Sequence, residues 1–286
     1  MKVLSGIVLY NPDLERLDEN INAVIKQADC LILIDNGSKN ISEIKKRYLP
    51  IENIELIINS ENFGIAKALN QIMQYAVEYG YDWVLTLDQD SVCREGLIEK
   101  YLLYTQLAEV GLLSCNISDR NFQCSETCVN DKDYNEIRMC ITSGSFLNTN
   151  AYQKTDGFDD QMFIDSVDFD FCIQLRKHGY KIYRVNYDGL LHEVGHGRNV
   201  KFFGKNYETY NHSPFRQYYM ARNMFYLKKK YPDEYVGIKV VLRELKNEVL
   251  ILFYEPSKLQ KLKARWKGIK DSKNMNIKTS QKDDDK

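Results

Sequence analysis

An α/β fold is predicted, with a mostly parallel central sheet flanked by helices and a C-terminal helical appendage, and three observations carry that expectation. Strand-like and helix-like apolar periods alternate through the first hundred residues. Polar clusters recur just beyond the carboxyl ends of the apolar strands, where ligands bind in open α/β sheets. Strong helical periodicity returns after Arg216.

Val3 to Tyr10 reads as a buried strand. Asn11 and Pro12 then offer an N-cap and a first-turn proline to a helix whose Leu14, Leu17, Ile21, Val24, Ile25 and Ala28 recur at helical spacing. Leu31 to Ile34 is the next strand and ends in Asp35-Asn36-Gly37-Ser38. A short helix over Ile41 to Tyr48 stops before Pro50, and Ile54 to Ile58 makes a third strand. From Ile65 a second amphipathic helix turns Ala68, Leu69, Ile72, Met73, Ala76 and Val77 inward. Trp83 to Leu87 is a fourth strand, closed by Asp88-Gln89-Asp90-Ser91. Val110 to Leu147 reads as shorter β-like segments, followed by helices after Phe169, over Arg216 to Tyr231, and through Ile238, Val241, Leu242, Leu245, Val249, Leu252 and Phe253.

With 286 residues, 44% hydrophobic and 28% charged, the chain has an ordinary globular balance. Its net charge of −1 hides an asymmetry: residues 258 to 282 hold nine Lys or Arg and one acid, a local +8 that leaves −9 elsewhere. An acidic body argues against a nucleic-acid groove, which needs clustered cations. The seven cysteines form no dense framework and no secretory signal is read, so a reducing cytoplasm is expected. Cys124 and Cys128 are the only close pair, without the second pair or nearby His that a zinc site wants. The longest apolar run, Val249 to Tyr254, is too short to span a bilayer.

Asp88 and Asp90 are one residue apart at the end of an apolar strand, so in an extended chain their carboxylates share a side. Two hard oxygens there could hold a divalent cation against a diphosphate. A plain Asp-rich turn gives the same spacing. His192-Glu193-Val194-Gly195-His196 matches the H-E-x-x-H pattern of zinc proteases, but that chemistry needs a helix, and Gly189, Gly195 and Gly197 disfavour one.

Taken together, Val8 to Pro12, Asp35 to Ser38, Asn62 to Asn70 and Leu87 to Ser91 resemble glycosyltransferase family 2, the inverting GT-A enzymes. Thr142 to Ser145, Phe163 to Asp170 and Tyr218 to Asn223 continue the match. The resemblance covers roughly residues 3 to 230. It implies a GT-A domain over residues 1–231; helical periodicity then reads a helical appendage over 232–273, and polar composition a disordered tail over 274–286.

The same resemblance implies a nucleotide-diphosphate sugar donor contacted by Tyr10, Asn11, Asp35, Asn36, Asn62, Gly64, Ala66, Asn70, Asp88, Gln89, Ser143, Gly144, Ser145 and Arg222. Asp35 and the Asn62 to Asn70 segment would take the base and ribose. Asp88, Asp90 and His192 would hold Mn2+ or Mg2+, the nitrogen ligand leaning toward manganese. Asp168 would be the general base, with Asp165 and Asp170 as rivals; all three could instead simply stabilise a helix N-terminus. The Asp-Gln-Asp-Ser motif and the His192 to Gly195 segment look most like bacterial rhamnosyltransferases that use dTDP-L-rhamnose in surface-polysaccharide assembly. The acceptor would be a glycan or a lipid-linked saccharide, with galactofuranose or a hexose as alternative donors. A sugar-nucleotide pyrophosphorylase would carry a Gly-rich, Arg-containing loop where Tyr10-Asn11-Pro12 stands. A non-catalytic module would bind nucleotide without turning over sugar.

In the tail, Leu259, Leu262, Trp266 and Ile269 fall on one helical stripe among lysines. Two readings stay open: the stripe lies on an anionic membrane from the cytoplasmic side, or it packs on the domain.

Overall fold

The computed structural model describes residues 1–119, 132–192, 198–202 and 205–277. Cys124 and Cys128, residues 193–197 of the H-E-x-x-H match and tail residues 278–286 therefore lie outside the described residues.

The chain forms two compact units, Met1–Phe163 with Val167–Glu193, and Ile164–Ser166 with Val194–Lys286. In the first, β1 (Val3–Leu9), β2 (Cys30–Asp35), β3 (Ile54–Ile58) and β4 (Trp83–Asp88) alternate with α1 (Leu14–Val24), α2 (Ile41–Tyr48) and α3 (Ile65–Glu78). Then come β5 (Val92–Cys93), α4 (Leu97–Leu102), β6 (Val110–Asp119), β7 (Tyr134–Ile137), β8 (Ser145–Asn148), α5 (Thr149–Gln153), α6 (Val167–Lys177) and β9 (Lys181–His192). All seven residues of β1 are buried, as an interior parallel strand requires. Gly6 lets α3 lie close on that strand, for a Cβ there would come within 2.5 Å of Ile72.

The expected cap of the first helix shifts by two residues. Asp13, not Asn11, accepts the N–H groups of Glu15 and Arg16, at 3.0 and 3.1 Å. Asn11 has φ +47° and instead ties two loops together, accepting the Lys39 N–H at 2.8 Å while its own N–H donates to the Ser38 hydroxyl at 2.7 Å.

The strand order is β3-β2-β1-β4-β8-β6-β9-β5, with β7 on β9. From β3 to β4 every pairing is parallel. Beyond β4 the sheet is mixed: β8 runs antiparallel to β4 and β6, β6 parallel to β9, and β5 and β7 antiparallel to β9. Register decides what this sheet can present. Leu9 pairs with Asp35 and Val8 with Asp88, so the polar ends of β1, β2 and β4 share one sheet edge. Val92 pairs with Leu191, which delivers the end of β9 to the same loop that follows β4. Beneath lies one apolar core of Ile7, Leu33, Leu85 and their neighbours, with Phe146 stacked between Trp83 and Tyr101 at 5.0 and 5.3 Å.

The second unit holds the hairpin of β10 (Arg198–Phe202) and β11 (Lys205–Thr209), then α7 (Pro214–Lys230), α8 (Gly237–Tyr254) and α9 (Lys258–Ser272). Although the expected boundary falls after residue 231, α7 packs with α9 in this unit. Their approach is tight enough that a Cβ on Gly268 would meet the Tyr218 carbonyl at 2.3 Å.

The face of α9 that packs is Lys261, Arg265, Gly268 and Ser272. Arg265 donates to both carboxylate oxygens of Glu244 and to Gln217, and Lys261 reaches Glu255 at 2.8 Å and Asn211 at 2.6 Å. Of the Leu259 to Ile269 stripe, Leu259 is 73% exposed and Trp266 58%, while Leu262 and Ile269 are half-buried, so only part of it packs on the domain. Disorder from residue 274 is also corrected at its start. Met275 is buried, its carbonyl accepts from Lys229 at 2.8 Å, and the Asn276 carbonyl accepts from Tyr226 at 3.1 Å. Among the described residues no helix is long and apolar enough to cross a membrane.

Candidate active site

The sheet edge gathers three potential ligands. Asp88 ends β4, Asp90 lies in the turn before β5, and His192 ends β9. One ligand atom from each falls within 4.8 Å of the others. His192 Nδ1 is 4.0 Å from Asp88 Oδ2. Two carboxylates and an imidazole are a donor set that Mn2+ accepts readily and Mg2+ tolerates.

This cluster is held from behind. The Asp88 N–H donates to the Ser143 hydroxyl at 3.0 Å, Ser143 donates to Ser91 at 2.9 Å, and Ser91 meets His192 Nδ1 at 2.7 Å. Asn20 adds a bond to the Asp88 carbonyl at 2.7 Å. Ser91 is fully buried and Asn20 likewise, while Asp88 and Asp90 are half-exposed. Sequence reading missed Ser91 as a functional residue although it adjoins Asp90, and nothing local marks Asn20. A helix placement for His192 is excluded, since it closes a strand. The catalytic geometry of a zinc protease does not start from that position.

Around the cluster, the loops after β1, β2 and β3 are stitched together. Gln89 accepts the Tyr10 N–H at 2.8 Å, and the Tyr10 side chain is left exposed. Asp35 is fully buried, and its Oδ2 accepts the N–H groups of Gly37 and Ser38 at 3.1 and 3.0 Å. Its Oδ1 has no hydrogen-bond partner among the described residues, a costly vacancy unless a ligand fills it. Asn36 donates to the Gly64 carbonyl at 3.0 Å and accepts from Asn59 at 3.0 Å. Asn62 accepts the Gly64 N–H at 2.9 Å. Gly64 has φ +87°, and a Cβ there would lie 2.6 Å from the Phe163 carbonyl, so only glycine fits.

Two of the expected donor contacts face the fold. Ala66 is buried, and the Asn70 amide donates to the Phe158 carbonyl and Asp160 at 2.8 and 2.7 Å while accepting from Tyr152 and the Phe158 N–H. Gly144, at φ +76°, donates to the Thr86 carbonyl at 2.8 Å, and Ser145 donates to the Ile141 carbonyl. These two shape the loop that carries Ser143.

The three acidic candidates separate by environment. Asp168 lies in the first turn of α6, half-exposed, with its Oδ1 accepting the Phe169 N–H at 2.9 Å. Asp170 is fully buried and accepts from Gln174 at 2.7 Å, so it braces α6 from within. Asp165 belongs to the second unit. Arg216 holds it at 3.3 Å, and burial raises its carboxyl above the ordinary range against the pull of that cation. On α7, Arg222 lies 4.5 Å over the Tyr219 ring, and its Nε donates to the side-chain Oδ1 of Asn223 at 3.1 Å. Asn223, fully buried, donates to the Ile164 and Asp165 carbonyls at 2.7 and 2.8 Å, pinning a loop whose Asp165 and Ser166 have positive φ.

The family model described as Glycosyl transferase family 2 matches residues 6–153. The chain is 27% identical over 279 residues to the dTDP-rhamnosyl transferase RfbF of Shigella flexneri, covering 91% of this chain and 92% of that protein. The bifunctional glycosyltransferase pgtA of Dictyostelium discoideum is 33% identical over 105 residues, 35% of this chain and 14% of that one.

Among solved structures, S. aureus TarS 1-349 in complex with UDP-GlcNAc aligns with TM-score 0.61 at 14% identity, covering 92% of this chain and 79% of that one. GalNAc-T7 with UDP, GalNAc and Mn2+ aligns with TM-score 0.64 at 13% identity, covering 96% and 56%. Of a longer S. aureus TarS chain this protein spans 39%. Such identities speak to the fold alone, and that fold is GT-A.

Proposed function

Because the chain belongs to glycosyl transferase family 2, we propose that it moves L-rhamnose from dTDP-L-rhamnose onto a hydroxyl of a glycan or lipid-linked oligosaccharide by single inverting displacement. The likeness to a dTDP-rhamnosyl transferase over 91% of the chain supports that donor over galactofuranose or another hexose. The observation that carries the reading is the convergence of Asp88, Asp90 and His192 on the sheet edge that also presents Asp35.

Asp88, Asp90 and His192 are the residues that would hold Mn2+ or Mg2+. The Ser91 hydroxyl at His192 Nδ1 orients the imidazole beside the two carboxylates. A divalent cation there supplies positive charge to the diphosphate leaving group. The open Oδ1 of Asp35 accepts a donor group from the base or ribose, while Asn36, Asn62 and Gly64 hold the neighbouring loops in place. Asp168 takes the proton of the acceptor hydroxyl as its oxygen attacks the anomeric carbon from the face opposite the diphosphate.

A panel of nucleotide sugars, scored by released nucleotide diphosphate with and without Mn2+, tests the reading. Manganese-dependent turnover is expected with dTDP-L-rhamnose above all others. Turnover of a different nucleotide sugar in its place refutes the donor but keeps the transferase, and nucleotide binding with no sugar release from any donor refutes catalysis.

A further inference from the structure

The apolar residues that give α8 its helical period do not face the protein. Ile238, Val241, Leu242, Leu245, Leu252 and Phe253 are exposed, whereas Val240, Glu244, Leu250 and Ile251 are the buried positions. At about 100° per residue, the exposed set forms one stripe on the side opposite Val240, Glu244 and Ile251. An amphipathic helix in a water-facing protein normally buries that stripe, and an apolar patch of this kind marks a binding surface.

Helix α9 extends it. Leu259 and Trp266 are exposed on α9, and the Trp266 indole N–H donates to Glu248 at 2.6 Å, fixing that ring beside α8. The charges around the stripe are almost all of one sign. Lys239, Arg243 and Lys246 project from α8, and Lys263 and Lys270 from α9. The acids on the two helices each have a partner: Glu244 is buried with Arg265, Glu248 accepts from the Trp266 indole, and Asp271 is met by Tyr218 and Lys267.

We infer that α8 and α9 form a docking surface for an anionic phospholipid bilayer, with the α8 stripe, Leu259 and Trp266 entering the interface and the lysines meeting the headgroups. Apolar burial and headgroup attraction act together on such a surface. A second copy of the chain fits it poorly, because matching the face to itself brings like charges together. The inference is independent of which sugar is transferred.

Co-sedimentation of the full chain with vesicles tests it, comparing phosphatidylglycerol mixed into phosphatidylcholine with phosphatidylcholine alone. Binding is expected to the anionic vesicles and to weaken in high salt. Leu242→Asp with Phe253→Asp should lower vesicle affinity roughly tenfold or more, since two apolar side chains are lost from the interface. Lys263→Glu with Lys270→Glu, which leaves the apolar stripe intact, should do the same through charge. All four positions are exposed, so circular dichroism should match the unaltered protein. Equal binding to neutral vesicles, undiminished binding by either double variant, or a solution dimer that Leu242→Asp with Phe253→Asp splits without any vesicle binding would each overturn the proposal.

Discussion

The Ser91 hydroxyl lies 2.7 Å from His192 Nδ1, joining the turn after β4 to the end of β9 across 101 positions of sequence. Groups that orient a metal-ligating imidazole typically govern metal affinity by 10- to 100-fold. Ser91→Ala should therefore weaken Mn2+-dependent nucleotide binding by about that factor while the fold persists. Calorimetry with and without Mn2+ reads it, and unchanged affinity removes Ser91 from the site.

Asp90→Ala strikes the ligand itself. Loss of one carboxylate from a set of three leaves a hard cation short of a donor, and the diphosphate charge uncompensated. Cation-dependent nucleotide affinity and transfer should fall together, by roughly a hundredfold or more. A variant that keeps its metal-dependent affinity places Asp90 outside the site.

Asp168→Asn separates catalysis from binding. Donor affinity should survive while turnover falls by roughly a hundredfold or more, the usual scale for a lost general base. Asp170→Asn should act differently: the residue is buried and accepts from Gln174, so its loss is expected to lower the melting temperature. Wild-type turnover in Asp168→Asn, with turnover abolished in a stably folded Asp170→Asn or Asp165→Asn, reassigns the base.

Much of the first unit was legible because strand and helix periods are local. Trp83 to Leu87 reads as a strand, so Asp88 and Asp90 follow from spacing alone, and parallel order puts Asp35 on their edge. The supports were not legible. Ser143 meets Ser91 across 52 positions and Asn20 meets the Asp88 carbonyl across 68, contacts that only the folded sheet creates. In α8 and α9 the pattern correctly marks an apolar face and a basic one, but periodicity cannot tell which face the protein covers. There a buried Arg265 and Lys261, with their acidic partners, override the ordinary preference for apolar contact.

His212 offers a pH test of the second unit. Burial, with Arg216 nearby, lowers its pKa from 6.5 to about 4. The unfolded chain thus binds a proton that the folded chain resists between those values, so the contribution is fully present above about pH 6.5 and is lost as pH falls toward 4. His212→Gln should flatten the dependence of melting temperature on pH within that window, relative to the unaltered protein. An identical slope in both would exclude His212 as its source.

The buried pair of Arg265 and Glu244 sets how the C-terminal helices can be altered. Their side chains are 1% and 5% exposed, and Arg265 also donates to Gln217. Removing one partner leaves the other charge buried and uncompensated, which costs about 3–5 kcal/mol, whereas replacing both with apolar residues of similar size is often neutral. Arg265→Met alone should therefore lower stability by about that amount, and adding Glu244→Met should restore most of it. Deleting residues beyond Ser257 removes both Arg265 and Lys261, leaving Glu244 and Glu255 without their cations, so it should destabilise the second unit rather than merely trim a tail. Urea unfolding of the three variants distinguishes these outcomes. Arg265→Met within about 0.5 kcal/mol of the unaltered protein, the range of ordinary surface substitutions, would mean that the pair does not support this unit.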